Sequence, residues 1–186
     1  MIGFLDHIDK SCFLFLNGLH TPWLDNWMFA ATNPVLWLPV YLFLLYLVIR
    51  KYHWNALVIL LFAAAMILIS DQLTNLVKET TQRLRPSHEP GLAVHLVNAY
   101  KGGLYGFYSS HASNYFGIAV FVVCLLGRFY RYLFIPLMFW ALLIASTRVY
   151  LGVHYPGDII AGMTVGCLLG YVAGWGCLKT IQSLNL

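Results

Sequence analysis

Five long apolar runs constrain this chain more than any other feature of its sequence. They cover residues 35–49, 56–69, 115–127, 132–145 and 159–178. Hydrophobic residues make up 60% of the chain and charged residues only 10%, which is not the balance of an ordinary soluble domain. With its polar flanks, each run reaches the ~20 residues that cross a bilayer as a helix. We therefore predict an all-α integral membrane protein, a bundle of five to six transmembrane helices forming one domain over residues 1–186.

The N-terminal segment, residues 1–33, has a different composition from these runs. It mixes phenylalanine and leucine with polar and charged side chains such as Asp6, Asp9 and Lys10. A basic start followed by a continuous apolar core, which marks a cleaved signal peptide, is not found there. We expect an interfacial helix or a broken first span, and the sequence leaves both alternatives open.

The last apolar run carries a glycine at every fourth position, namely Gly162, Gly166, Gly170 and Gly174. Such a stripe gives one helix face that is nearly bare backbone, so another helix can approach it closely. We favour a contact within the chain over a dimer seam, and the sequence is compatible with a monomer or a homodimer.

The four cysteines show no Cys-x-x-Cys spacing, and three of them lie in apolar runs. We expect them to be packing residues rather than disulfide partners or metal ligands.

The basic residues fall into two groups when the runs are threaded through a bilayer in order. One side receives Arg50, Lys51, Arg128, Arg131 and Lys179. The other side receives Lys78, Arg83, Arg85, Lys101 and Arg148. The positive-inside rule makes the first side cytoplasmic if the second group is functional. Three polar stretches lie on that second, extracytoplasmic side.

The first polar stretch runs from Lys78 to Pro86. Lys78 and Arg85 are seven residues apart, which places both on one face of a helix, and Pro86 predicts that the helix ends at Arg85. An arginine and a lysine at the end of a span can hold a phosphoryl group. The same pair is also compatible with snorkelling to lipid headgroups.

The second polar stretch is Ser109-Ser110-His111, followed by an apolar helix. Ser109 is a good N-cap, and the free N–H groups of a helix start attract anions. His111 in the first turn can donate a proton to a departing oxygen. Without His111, this stretch would indicate a capped helix and nothing more.

The third polar stretch starts with Thr147 and Arg148 and continues to His154 and Asp158. Pro156 predicts a helix start, and Asp158 follows in the first turn. A carboxylate four residues after His154 can accept a hydrogen bond from one imidazole nitrogen and leave the other as a nucleophile. Asp158 is equally typical of an acid that stabilises a helix N-terminus.

Together, the patterns Lys-x6-Arg-Pro, Ser-x-His-Ala and Arg-x5-His-x3-Asp resemble the signature of the type-2 phosphatidic acid phosphatase superfamily, membrane relatives of vanadium haloperoxidases. The resemblance implies a phosphohistidine mechanism that requires no metal and no cofactor. It implies that His154 is the nucleophile, Asp158 its orienting partner and His111 the acid. The phosphate-binding set that it implies is Lys78, Arg85, Ser109, Ser110 and Arg148.

Three positions depart from the family pattern. The family has proline and glycine where this chain has Tyr108 and Ser110, and usually serine where it has Thr147. The Cβ of Ser110 would crowd the site if the backbone there required a positive φ.

The resemblance and the extracytoplasmic site imply a bacterial inner-membrane phosphatase acting on a lipid phosphate or diphosphate. We expect residues 87–108 to form an extramembrane loop near the site. Undecaprenyl diphosphate is the first expected substrate, ahead of lipid A, phosphatidylglycerophosphate and phosphatidic acid. A non-catalytic protein that binds or transports a lipid phosphate is the alternative of another class. We expect no nucleic-acid partner.

Overall fold

The computed structural model describes residues 2–184. Residue 1 of the predicted N-terminal segment 1–33, and residues 1, 185 and 186 of the predicted domain 1–186, lie outside the described residues. Within residues 2–184 there are seven α-helices, short 3₁₀ turns and no β-strand, which confirms the all-α prediction. The helices are α1 (Ile2–Asn17), α2 (Pro22–Ala31), α3 (Leu38–Tyr52), α4 (Ala56–Thr81), α5 (Ser110–Leu126), α6 (Phe134–Tyr150) and α7 (Pro156–Ser183).

The helices α3 to α7 correspond to the five predicted apolar runs. Residues 34–81, 131–150 and 156–183 are long and apolar enough to cross a membrane, and α5 is a shorter apolar helix. The stretch 34–81 contains two helices, α3 and α4. The chain turns between them at His53, whose backbone has a φ of 49°.

The helix α5 lies at the centre of the bundle, where it packs against α3, α4, α6 and α7. Its largest interface is with the glycine stripe of α7. A Cβ atom at Gly162 would lie 2.5 Å from the carbonyl oxygen of Ser109, and one at Gly174 would lie 2.6 Å from Cys124 Cβ. The stripe therefore forms a contact within the chain, and this contact brings the start of α5 beside the start of α7.

The N-terminal segment forms two helices, α1 and α2, which are separated by residues 18–21. Thr21 caps α2 by accepting a hydrogen bond from Leu24 N at 3.3 Å. The helix α1 packs against α6 and α7, and α2 packs against α6. The position of this N-terminal segment relative to the bilayer stays a prediction.

The loop 87–108 is fastened to the N-terminal helices. His95 N donates to Asn17 Oδ1 at 2.8 Å, and Asn17 Nδ2 donates to His95 O at 3.1 Å. Lys10 Nζ lies 2.6 Å from Glu89 Oε1. These contacts hold the loop over the end of the bundle that carries the three polar stretches.

Basic side chains meet at the opposite end of the bundle. The ammonium group of Lys51 lies 4.9 Å from the centre of the Phe129 ring, and the guanidinium of Arg128 lies 4.5 Å from the same ring. The ends of α3 and α5 are thus neighbours, as the threading of the runs predicts.

We predict that Gly166→Ala destabilises the protein by about 1–3 kcal/mol, because the new Cβ would overlap the carbonyl of Ser113 on α5. Gly176→Ala is the matched control in the same helix, since its Cβ would meet only the tip of the Phe62 ring at 3.4 Å. Thermal unfolding in detergent checks this. Equal melting temperatures for the two variants would contradict the close α5–α7 contact.

Candidate active site

The three polar stretches converge around His154, which is 1% exposed. Burial lowers the pKa of His154 well below its usual value, and the charges of Arg85, Arg148 and Lys78 lower it further. The backbone of Gly106 acts in the opposite direction without reversing the shift. The cations of the first and third stretches thus lie near enough to His154 for their charges to act on its imidazole.

The helix α4 ends at Thr81, four residues before the predicted end at Arg85. Gln82 adopts a left-handed backbone with a φ of 47°, which ends the helix before it reaches the residues that Pro86 would exclude from it. The prediction that Lys78 and Arg85 share a helical face is therefore wrong. Lys78 lies in the last turn of α4, whereas Arg85 lies in the following loop.

Backbone contacts hold Arg85 in that loop. Arg85 N donates to Leu104 O at 3.1 Å, and Arg85 Nε donates to Tyr105 O at 3.0 Å. The guanidinium lies against Gly102, where a Cβ would be only 2.5 Å from Nη1. The loop 87–108 therefore fixes the position of Arg85 through its backbone.

Arg148 is buried in the last turn of α6, with an exposed fraction of 2%. Its Nη1 donates to Thr32 Oγ1 at 2.6 Å, and its Nη2 donates to Tyr100 OH at 3.2 Å. Its Nε has no hydrogen-bond partner within residues 2–184. Sequence reasoning missed Thr32 and Tyr100, because both are far from Arg148 along the chain and belong to no motif.

A tight turn fixes His154 beside Arg148. Val153 N and His154 N both donate to Arg148 O, at 3.1 and 3.2 Å. Gly152 has a φ of 75°, and a Cβ there would lie 2.6 Å from Val94 Cγ1. This position requires glycine for both its backbone conformation and the space around it.

Asp158 is fully buried and contacts His154. His154 Nδ1 lies 3.3 Å from Asp158 Oδ2, and the same oxygen accepts a hydrogen bond from Tyr155 N at 3.0 Å. The carboxylate is therefore both the cap of α7 and the partner of the imidazole. The two interpretations of Asp158 left open by the sequence are compatible, and Nε2 is the imidazole nitrogen turned away from this pair.

Arg83 is a site residue that the motif pattern missed. Its Nη1 donates to Asp158 Oδ1 at 2.7 Å, and its Nη2 donates to Asp9 Oδ2 at 2.7 Å. Burial alone would lower the pKa of Arg83, but the carboxylates of Asp158 and Asp9 raise it above its usual value. Its place within the first polar stretch was the only sequence signal.

The second polar stretch lies beside Asp158. Ser109 is the N-cap of α5, and its Oγ accepts a hydrogen bond from Ala112 N at 3.3 Å. Ser109 N donates to the carbonyl of Asp158 at 3.1 Å, which ties the start of α5 to the start of α7. His111 is half-buried in the first turn, with its ring stacked beside that of Tyr115.

The departures from the family pattern fit the local backbone. Ser110 is the first residue of α5 and has a helical conformation, so its Cβ meets no backbone conflict. Thr147 is fully buried, and its Oγ1 donates to Ile144 O at 2.7 Å inside α6. Tyr108 is buried directly before the N-cap.

Comparison with known proteins shows several relatives. Residues 56–180 match the model of the PAP2 superfamily. The chain is similar to a lipid A 4'-phosphatase of Bacteroides thetaiotaomicron, with 41% identity over 92% of this chain and 78% of the relative. It is also similar to a lipid A 4'-phosphatase of Porphyromonas gingivalis, with 35% identity over 88% of this chain and 70% of the relative.

Two crystal structures share the fold. A transmembrane PAP2 type phosphatidylglycerolphosphate phosphatase from Bacillus subtilis has a TM-score of 0.70 and 22% identity, covering 94% of this chain and 87% of its own. LpxE of Aquifex aeolicus has a TM-score of 0.63 and 24% identity, covering 91% and 93%. The family match covers more than half of the chain and includes all three polar stretches. The chain therefore belongs to the PAP2 superfamily and is an integral-membrane phosphatase.

Proposed function

We propose that this membrane lipid phosphatase removes the 4'-phosphate of lipid A. The observation that carries phosphate chemistry is the buried His154–Asp158 pair under the influence of Lys78, Arg85 and Arg148. The lipid A 4'-phosphatases at 41% and 35% identity support the choice of substrate. They favour lipid A over undecaprenyl diphosphate, which ranked first on the sequence alone.

The side chains present support a two-step hydrolysis. The neutral Nε2 of His154 forms a bond to phosphorus while the bond from phosphorus to the sugar oxygen breaks. His111 gives its proton to that departing oxygen. Water then attacks phosphorus, the bond between phosphorus and nitrogen breaks, and the proton of the water passes to His111. Inorganic phosphate leaves, and both histidines return to their starting states.

The cations stabilise the charge on the transferred group. Arg85 and Arg148 offer planar guanidinium groups, and Lys78 offers a mobile ammonium group. The hydroxyl of Ser109 and the backbone N–H of Ser110 lie at the N-terminus of α5, where an anion is favoured. Fixed donors of this kind stabilise charge that spreads over the phosphoryl oxygens in the transition state.

The proposal includes a location. The phosphate pocket lies at the end of the bundle opposite Lys51 and Arg128. The positive-inside rule supports an extracytoplasmic active site in the inner membrane of a bacterium. The phosphate of a lipid would reach the pocket at headgroup depth while its acyl chains stay in the bilayer.

We predict that His154→Ala lowers kcat by at least about 10³-fold, because the nucleophile is lost. Phosphate release from lipid A is measured in detergent without added metal, and vanadate should block the wild-type reaction. His7→Ala is the matched control, since His7 is exposed on α1. Near-wild-type turnover of His154→Ala would exclude the covalent mechanism, and no phosphate release from the wild type would favour a binding or transport protein.

We predict that lipid A has the highest kcat/KM in a parallel assay with undecaprenyl diphosphate, phosphatidylglycerophosphate and phosphatidic acid. Mass spectrometry of the product should show loss of the 4'-phosphate with the 1-phosphate retained. A higher kcat/KM for undecaprenyl diphosphate would overturn the substrate proposal and restore the ranking made from the sequence.

We predict that kcat/KM falls on the acid side of its pH profile, because His154 must be neutral to attack phosphorus. The lowered pKa of His154 keeps its imidazole neutral below the usual histidine value of about 6.5. Activity should therefore fall on the acid side only below that pH. An acid limb at or above pH ~6.5 would contradict the proposed environment of His154.

A further inference from the structure

Arg83 joins the proposed active site to the N-terminal helix. Its Nη1 donates to Asp158 Oδ1 and its Nη2 to Asp9 Oδ2, each at 2.7 Å. A weaker contact of 3.3 Å joins Nη2 to Asp6 Oδ1. The guanidinium carbon lies 4.5 Å from the centre of the Tyr155 ring. One planar group thus bridges α1, the start of α7 and the loop after α4.

These contacts leave Arg83 few hydrogen-bond donors that could bind a substrate phosphate. Both terminal nitrogens are engaged by carboxylates, and the Tyr155 ring lies beside the guanidinium. Arg85 differs, because within residues 2–184 its side chain donates a hydrogen bond only through Nε, to the backbone carbonyl of Tyr105. The two arginines of the same stretch therefore have different tasks, and only Arg85 is arranged to bind phosphate.

Asp158 needs a partner such as Arg83. Its carboxylate is 0% exposed, and an ionised carboxylate is costly to bury unless it is paired and hydrogen-bonded. Oδ2 serves Tyr155 N and His154 Nδ1, so Oδ1 is the oxygen that takes the compensating cation. The single hydrogen bond from Arg83 Nη1 to Oδ1 and the two contacts of Oδ2 together restrain rotation of the carboxylate.

Asp9 holds Arg83 from the other side. While its Oδ2 binds Arg83, its Oδ1 accepts a hydrogen bond from Gly157 N at 2.7 Å in the first turn of α7. A Cβ at Gly157 would lie 2.7 Å from Asp9 Oδ2, so this approach requires glycine. The helix α1 lies outside the residues 56–180 that match the family model. Its Asp9 nevertheless contacts Arg83 and Gly157, which lie next to the proposed nucleophile.

We propose that Arg83 is a positioning residue for the hydrolysis, acting through Asp158 on His154, and that Asp9 of α1 positions Arg83. The chain Asp9–Arg83–Asp158–His154 makes the N-terminal helix a functional part of the enzyme. This inference rests on the proposed phosphohistidine chemistry, because it assigns Arg83 a role only through the nucleophile.

The first test is a kinetic comparison of Arg83→Gln and Arg83→Lys with lipid A in detergent. Arg83→Gln should lower kcat by about 10²-fold, the effect of a misaligned reacting group. Its KM should change by less than about threefold, because ground-state binding of the phosphate is untouched. Arg83→Lys should recover part of the loss, since an ammonium group keeps one charged contact. Lys179→Gln, an exposed charge removed at the other end of α7, should resemble the wild type.

The second test is a double-mutant cycle between Arg83→Gln and Asp158→Asn. If Arg83 acts only through Asp158, the double variant should be no slower than Asp158→Asn alone. Additive losses would show that Arg83 acts by another route and would overturn the inference. A raised KM at unchanged kcat in Arg83→Gln would also overturn it, by making Arg83 a phosphate ligand.

The third test compares Asp9→Asn with Asp6→Asn. Asparagine at position 9 keeps an acceptor for Gly157 N but removes the charge that faces Arg83, so kcat should fall. Asp6 is half-exposed and makes the longer contact, so its variant should lose less. Equal kcat values for the two variants would overturn the role of α1.

Melting temperatures in detergent separate a kinetic effect from misfolding. If Arg83→Gln does not fold, Arg83→Lys and Asp9→Asn carry the test. The result for His154→Ala distinguishes the two proposals. An active His154→Ala overturns the proposed function itself, whereas an inactive His154→Ala with a fully active Arg83→Gln overturns only the positioning role.

Discussion

The buried carboxylate of Asp158 is the group on which the rest of the site depends. It caps α7 through Tyr155 N, contacts the imidazole of His154 and takes the guanidinium of Arg83. The carbonyl of the same residue accepts a hydrogen bond from Ser109 N at the start of α5. Since a buried ion is stable only when its partners are in place, this one residue couples two helix starts, a loop and the proposed nucleophile, His154.

The close packing of α5 on α7 makes that arrangement possible. Glycines on α7 let the backbone of α5 approach so closely that a Cβ at Gly162 would lie 2.5 Å from the carbonyl of Ser109. The proposed phosphate site lies at the end of this seam, where the N-terminus of α5 and the histidine that precedes α7 are neighbours. The same contact that stabilises the membrane bundle therefore also brings the proposed reacting groups together.

The sequence predicted the positions of the motif residues better than the contacts that hold them in place. Short-range spacing placed Asp158 four residues after His154, within reach of its imidazole, and Ser109 at a helix start, and both positions are observed. The helix end at Thr81 was not predictable, because Gln82 adopts a left-handed backbone that its residue type does not require. Contacts such as Arg148 with Thr32 join residues more than a hundred positions apart, and no local pattern indicates them.

By itself, the sequence determined the helical membrane fold, the three polar stretches and the family to which they belong. It could do so because hydrophobic periodicity and the spacing of motif residues are local properties. Only the tertiary structure decided that Arg83 pairs with Asp158 and Asp9, and that burial and nearby cations lower the pKa of His154. Ion pairing and desolvation depend on which groups share a volume of low dielectric, and that is a property of the packed bundle.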